Sequence, residues 1–559
     1  MATTNRYDAI VVGSGVSGGW AAKELTEKGL KVLVLDRGVM VEHGNYDYDG
    51  KPPFEIPARD RMPARELKSD YFIARHGYVS PGMKKHYNND RLNPYAYEDG
   101  DKFYWIRPGA VGGKSLIWGR WSFRWAPIDF EANKRDGHGL DWPIRYEDLE
   151  PWYSYVEKYA GISGSRENLS YLPDSEFQPP IPMNVAETWL KGKLESAYPG
   201  RKLINCRVSN MTEDKPDQGR TKCQFRNQCG RGCSFGAYFS SQAVTLPAAQ
   251  ATGRMTLRSD ALVTNLIYDA KKKRATGVRV VDTQTGQAEI INARLIMMAA
   301  STAATVQILM NSRAEGSERS HFDTSGTLGR YLMDHIFRTH ASGEVPGNLD
   351  LIEYGRRPGG VYIPRFRNLE GDDGLGFRRG YGYQGSASRS PLMKPGFGAD
   401  MKHGMRGYGP WMFGMTAFGE CLPYEDNRMT LHPTKKDRFG MPQVQFNVTF
   451  RENELKLIED ARQQGEAMLK AAGLINVTSG RQEHVPGDGI HEMGGARMGA
   501  DPRQSVTDKH SRLHDAENVY VVDGSQMTSI SCVNPSLTFM ALSARASDHA
   551  VKAIKAGRI

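Results

Sequence analysis

Along the first forty residues the pattern of apolar and polar positions changes period twice. A continuous apolar run through Ile10 to Val12 gives way to a segment from Gly19 to Lys28 whose apolar residues recur at helical spacing, and "KVLVLD" (Lys31 to Asp36) is again unbroken. This predicts strand, turn, helix, strand. The turn carries Gly13, Gly15 and Gly18 in a GxGxxG arrangement. Gly13 permits the turn, Gly15 lets a pyrophosphate approach the backbone at the helix N-terminus, and Gly18 lets the helix pack on the strand. Asp36, eighteen residues after Gly18 and ending the second strand, is placed to accept a hydrogen bond from a ribose hydroxyl. The pattern predicts a bound dinucleotide and leaves NAD and FAD both open.

Strand-like, glycine-punctuated segments return late, in "NVYVVDGS" (Asn518 to Ser525), so the nucleotide domain is expected to be assembled from separated pieces. After them "SLTFMALSARASDHAVK" has helical spacing, with Leu537, Met540, Ala541 and Ala544 on one face.

Length changes the picture only by implying two closely connected domains, since 559 residues exceed one ordinary core. Hydrophobic residues make up 39% and charged residues 25%, which is a globular composition. The net charge of +9 suits an acidic partner or an anionic cofactor. The basic residues are spread along the chain in no nucleic-acid motif, so no nucleic-acid partner is expected. No apolar run approaches the ~20 residues of a membrane span, so no transmembrane segment is expected. "MATTNRYDAIVVG" enters a strand almost at once, and no export signal of its own is expected.

Several later stretches resemble the glucose–methanol–choline family of FAD oxidoreductases, in order and spacing, over nearly the whole chain. They are "VGGKSLIWGR" (Val111 to Arg120), "DWPIRYEDLEPWY" (Asp141 to Tyr153), "STAATVQILMNS" (Ser301 to Ser312), "LGRYLMDH" (Leu328 to His335), "HEMGGARMG" from His491, and "VNPSLTFMALSARA" containing Asn534. The resemblance implies an α/β fold: a discontinuous Rossmann-like FAD-binding domain (1–45, 100–130, 215–345 and 485–559) and an α+β substrate-binding domain with an antiparallel sheet (46–99, 131–214 and 346–484). It implies that FAD is bound by Gly13, Gly15, Gly18, Asp36, Gly112, Gly113, Ser115, Val263 (backbone beside adenine), Asp523, Gly524, Asn534 and Pro535. His491 and Asn534 are the implied catalytic pair beside the flavin N5. His is the side chain whose pKa suits a general base near neutral pH, and Asn534 holds the substrate oxygen without competing for the proton. The "VGGKSLIWG" loop lacks the His that tethers FAD in some relatives, so FAD is expected to be non-covalent.

Cys223, Cys229 and Cys233 lie within eleven residues, separated by five and then three positions. Three soft thiolates suit a [3Fe–4S] cluster, which hexose dehydrogenases of this family carry at the same spacing. Zinc with the distant Cys206 as fourth ligand, reduced thiols, or a local disulfide are the other readings. Arg226 and Arg231 are placed to screen a cluster's charge.

On the substrate side, Leu351 to Ser390 is rich in Gly, Tyr and Arg and is expected to be a mobile loop with hairpins, its Tyr faces and Arg edges suiting a sugar. Glu420 is a candidate to face the pocket. The closest resemblance is to the large subunits of bacterial glucoside 3-dehydrogenases and gluconate 2-dehydrogenases. It implies oxidation of a secondary alcohol of a sugar or glycoside to a ketone, at C3 of glucosides in the best reading. It also implies a small twin-arginine-signalled partner subunit, a cytochrome c acceptor, and periplasmic location by co-export. A stand-alone oxidase using oxygen, a gluconate or hexose dehydrogenase subunit, and a flavoprotein that has lost catalysis are the alternatives.

Overall fold

A computed structural model of the protein describes residues 7–97, 102–353, 355–392 and 396–559. The first six residues, the expected domain boundary at 99/100, and Tyr354 of the expected substrate loop lie outside the described residues.

The first strand, β1 (Ala9–Val12), leads through the glycine turn into α1 (Val16–Glu27) and back into β2 (Val32–Leu35). The two strands pair in parallel, and the sheet they found has six strands. In spatial order these are Arg512–Leu513, Ala516–Val521, Leu295–Met298, β1, β2 and Met255–Arg258, the last five parallel. Both faces are covered, which explains the unbroken apolar runs. Ala9, Val11, Val32 and Val34 pack against α1 and the C-terminal helix Ser536–Lys555. Ile10, Val12, Leu33 and Leu35 pack against the helix Thr302–Asn311 and the antiparallel meander Ala261–Asp269, Arg274–Asp282 and Ala288–Asn292.

The second large sheet is antiparallel across its six strands, in the order Ile475–Arg481, Ile336–Val345, Trp411–Gly419, Tyr381–Ser388, Val361–Ile363 and Ile204–Asn205. One face, carrying Tyr381, Tyr383, Phe413 and Met415, packs on the helices Glu452–Ala471 and Val185–Ala197. With a side-chain period of two, Tyr362, Gln384 and Phe418 point the other way, toward the nucleotide domain. A small sheet of Arg428–Lys436, Pro442–Asn447 and Ala96–Tyr97 carries Met429, Met441, Val444 and Phe446 into the core beneath the parallel sheet.

Three expectations change. Ile336–Val345 is a central strand of the second sheet, so the nucleotide domain hands over before Ile336 rather than after residue 345. The segment from 351 to 390 is not a sugar-facing loop throughout. Tyr362, Tyr381 and Tyr383 are buried core side chains in paired strands. Glu420 follows the strand Trp411–Gly419 but is fully buried, where it accepts from Arg365 at 3.0 Å and faces Arg379. Two guanidiniums hold it in the interior, and it is not among the residues lining the main cavity.

Candidate active site

A cavity opens beyond the C-terminal ends of the parallel strands, lined there by Val12, Leu35 and Ala299 and on its other sides by Trp105, His491 and Asp523. Three helix N-termini open onto it: those of α1 at Gly15, of Thr302–Asn311 at Ser301, and of Ser536–Lys555 at Pro535. Aligned backbone dipoles and free N–H groups there favour an anion.

The three fingerprint glycines divide the work. A Cβ on Gly13, at φ +99°, would sit 2.3 Å from the Ala299 carbonyl oxygen, and one on Gly18 would sit 1.9 Å from that of Gly13. At Gly15 the nearest protein atom to a Cβ is 3.9 Å away, so a methyl there would fill only the cavity. Asp36 lines the cavity edge and accepts from the Ser14 N–H (2.9 Å), the Ser14 hydroxyl (2.5 Å) and the Gly38 N–H (2.7 Å). Gly112 and Ser115 brace the neighbouring turn rather than line the cavity. The Gly112 N–H donates to the Ser14 hydroxyl at 2.9 Å, and Ser115 donates to the Gly112 carbonyl at 2.5 Å. Gly113 and Lys114 face the space, as do Val263, Asp523, Gly524 and Pro535. Asp523 is fixed by Thr305 (2.5 Å) and the Ser525 N–H (3.0 Å).

His491 also lines this cavity and is held on every side. Its backbone N–H donates to Asp334 (2.9 Å), whose carboxylate also takes the Gly487 and Gly489 backbone N–H groups at 2.8 and 2.9 Å. Burial and the nearby Glu492 carboxylate push Asp334 up to about 7, against those three amides. The His491 Nδ1 lies 2.9 Å from Nδ1 of His335, whose Nε2 bonds the Ser531 carbonyl. Its Nε2 lies 3.3 Å from the Asn534 amide nitrogen, and the Asn534 oxygen accepts from Gln384 at 2.6 Å. The Phe418 ring tilts over the imidazole at 5.8 Å. Burial, then His335, then Lys114 hold the His491 pKa well below the usual histidine range. Lys114 pairs with Glu492, leaving the buried Glu492 Oε1 without a hydrogen-bond partner among the described residues.

Residues 7–337 and 423–543 match the GMC oxidoreductase family. The chain belongs to that family. A 2-methyl-1,2-propanediol dehydrogenase from Mycolicibacterium austroafricanum is 29% identical, the match covering 98% of this chain and 95% of that protein. The fructose dehydrogenase large subunit of Gluconobacter japonicus is 27% identical, covering 98% of each. The gluconate 2-dehydrogenase flavoprotein of Pantoea cypripedii is 24% identical, covering 93% of this chain and 89% of that protein. Among solved structures, a pyridoxine 4-oxidase from Mesorbium loti shares the fold with a TM-score of 0.57 at 16% identity, covering 97% of this chain and 98% of that one.

The GMC oxidoreductases bind FAD, and this cavity fits it. The methyl-free face of Gly15 leaves room for a pyrophosphate, the convergent helix termini complement its charge, and the Asp36 carboxylate suits a ribose. Sequence reasoning missed His335, Gln384, Lys114 and Glu492. His335 closes the "LMDH" motif and Lys114 sits inside the glycine turn, but nothing local marks Gln384 as a neighbour of Asn534.

The three clustered cysteines occupy one half-exposed loop, and burial and the charges of Cys229 and Cys233 raise the pKa of Cys223. No group of three His, Cys, Asp or Glu side chains among the described residues is arranged to hold a metal ion. Cys206 is buried apart from them, against Ile181 and Val208. Arg226 pairs with Asp49 at 3.0 Å, and Arg231 donates to the carbonyls of Tyr48 and Lys51. No helix among the described residues is long and apolar enough to cross a membrane.

Proposed function

We propose that this chain oxidises a carbinol of a sugar, glycoside or related polyol, secondary alcohol to ketone, and that its electrons go to a redox partner rather than to oxygen. The observation that carries the reading is the 3.3 Å approach of the Nε2 of His491, a cavity-lining residue, to the amide nitrogen of Asn534, the residue before cavity-lining Pro535. Relatives named for propanediol, fructose and gluconate dehydrogenation support the substrate class. C3 of glucosides is the position we favour. A small subunit that supplies the export signal, periplasmic location and a cytochrome c acceptor complete the proposal, in line with relatives named as a large subunit and a flavoprotein.

When bound, FAD supplies the hydride acceptor. The chain's own residues do the rest. A substrate hydroxyl that replaces the direct contact between the two side chains donates its hydrogen to the His491 Nε2 and accepts from the Asn534 Nδ2. Gln384 holds the Asn534 oxygen, so the amide presents its N–H and not its acceptor. As the C–H bond breaks, His491 takes the hydroxyl proton and Asn534 keeps the oxygen in place. Low basicity keeps the His491 imidazole neutral and ready at neutral pH.

The [3Fe–4S] cluster remains part of this proposal on the cysteine spacing alone, and no step is routed through it. Iron analysis of anaerobically prepared protein decides it: about three irons per chain support the cluster, and iron-free active protein removes it.

A dye-reduction screen of glucosides, free hexoses, polyols and aldonates tests the function, with the product ketone located by NMR and peroxide measured under air. Turnover of one such class with little peroxide is expected. His491→Ala is expected to keep FAD and lose turnover by ~10²–10⁴-fold. Stoichiometric peroxide makes the protein an oxidase, and turnover by none of the four classes overturns the substrate reading.

A further inference from the structure

We propose that His335 is a positioning residue that decides which ring nitrogen of His491 is free to take the substrate proton. The proposal deepens the alcohol-oxidation reading and rests on it for its kinetic consequence, but not for its geometry.

The argument starts from the Ser531 carbonyl. A carbonyl oxygen can only accept, so the His335 Nε2 in contact with it carries a hydrogen. His335 is fully buried, and burial pushes its pKa down to about 4, so the ring is neutral and has one N–H. Its Nδ1 is therefore a bare lone pair. The atom 2.9 Å from that lone pair is Nδ1 of His491, which must donate. A neutral His491 with its hydrogen on Nδ1 leaves Nε2 bare, facing the Asn534 amide.

The other end of the chain agrees. Gln384 donates to the Asn534 oxygen at 2.6 Å, which turns the Asn534 N–H₂ toward His491 and requires an acceptor there. Taken alone, that end is ambiguous, because flipping both amides would reverse every donor and acceptor from Gln384 to His335. The reversed chain would place the bare Nε2 of His335 against the Ser531 oxygen, two lone pairs in contact. A backbone carbonyl cannot flip. The Ser531 carbonyl thus fixes the polarity of a relay running through His335 and His491 to Asn534, and the base faces the substrate.

The relay has a second effect. When His491 holds the substrate proton at Nε2, its Nδ1–H still points at a neutral imidazole lone pair and not at a carboxylate. The conjugate acid is oriented but stabilised less than a carboxylate partner would stabilise it. That agrees with a base that stays unprotonated in a buried site.

The test uses holoenzyme labelled with ¹⁵N-histidine, in which imidazole nitrogen shifts report each tautomer and His491→Gln assigns the His491 signals. His491 is expected with its hydrogen on Nδ1. His335→Gln, which keeps one donor and one acceptor, is expected to preserve that tautomer and to hold flavin reduction by substrate within about tenfold. His335→Leu is expected to shift hydrogen onto the His491 Nε2 and to slow reduction on the order of 10²-fold or more at unchanged FAD content, since an ill-oriented base forfeits most of its catalysis. An Nε2–H tautomer in the unaltered protein overturns the proposal. So does a His335→Leu protein that keeps FAD and the wild-type rate, or a His335→Gln protein that loses the tautomer. The spectra need no substrate, so failure of the alcohol-oxidation reading leaves this result standing separately.

Discussion

His335 and His491 are neutral in the fold because burial disfavours their charged forms, and this ties stability to pH. The His335 pKa is displaced from the usual 6.5 to about 4. As pH falls through that window the unfolded chain takes up a proton that the folded chain refuses, so stability is full above about 6.5 and is lost toward 4. The displacement corresponds to about 3 kcal/mol. Glu420, pushed up to about 7 by burial against the pull of Arg365 and Arg379, acts in the opposite direction but equally in any His335 variant. Urea midpoints at pH 7.5 and 4.5 are therefore expected to fall further apart in the unaltered protein than in His335→Gln; equal separations would contradict this. At this scale, the legible residues were those inside a local motif. His491 and Asn534 announce themselves, whereas Gln384 sits 150 residues from Asn534 and reaches it through strand pairing, and His335, 156 residues from His491, closes a motif that says nothing of their contact.

Between residue and molecule stand the elements, and the glycine turn after β1 separates two kinds of requirement. Gly13→Ala and Gly18→Ala drive a methyl into backbone carbonyls of the fold itself, so both are expected to lower the denaturation midpoint of the apoprotein. Gly15→Ala meets only cavity. It is expected to leave the apoprotein midpoint unchanged and to weaken FAD binding, read by fluorescence titration. Equal destabilisation by all three would return Gly15 to a packing role. The turn was legible because its period change and its glycines fall within one short window. The strands Val361–Ile363 and Tyr381–Ser388 were not, because their glycines imitate a loop. A Cβ on Gly382 would strike the Tyr362 hydroxyl at 2.1 Å, and one on Gly385 the Phe413 ring at 2.7 Å. Those glycines make room for buried rings that come from other strands, which a single stretch of sequence does not reveal.

Across the whole molecule, the cavity is closed by pieces from β1, the 105–114 turn, the Ala261–Val263 strand, Met441 and the two C-terminal segments around His491 and Asp523. FAD bound there would bridge these separated segments, and its binding would stabilise the assembled state by mass action, about 2.7 kcal/mol at a free concentration of 100 times Kd. A tether is not expected. Among the described residues lining the cavity there is no Cys or Tyr, and the single His is His491, whose Nδ1 is engaged by His335 and whose Nε2 faces Asn534. Acid precipitation is thus expected to leave all the FAD in the supernatant. Apoprotein prepared at neutral pH is expected to unfold at lower temperature than holoprotein and to regain its midpoint progressively as FAD is added. Yellow colour retained in the acid pellet, or a midpoint indifferent to FAD, would mean that the cofactor is held by something other than this cavity.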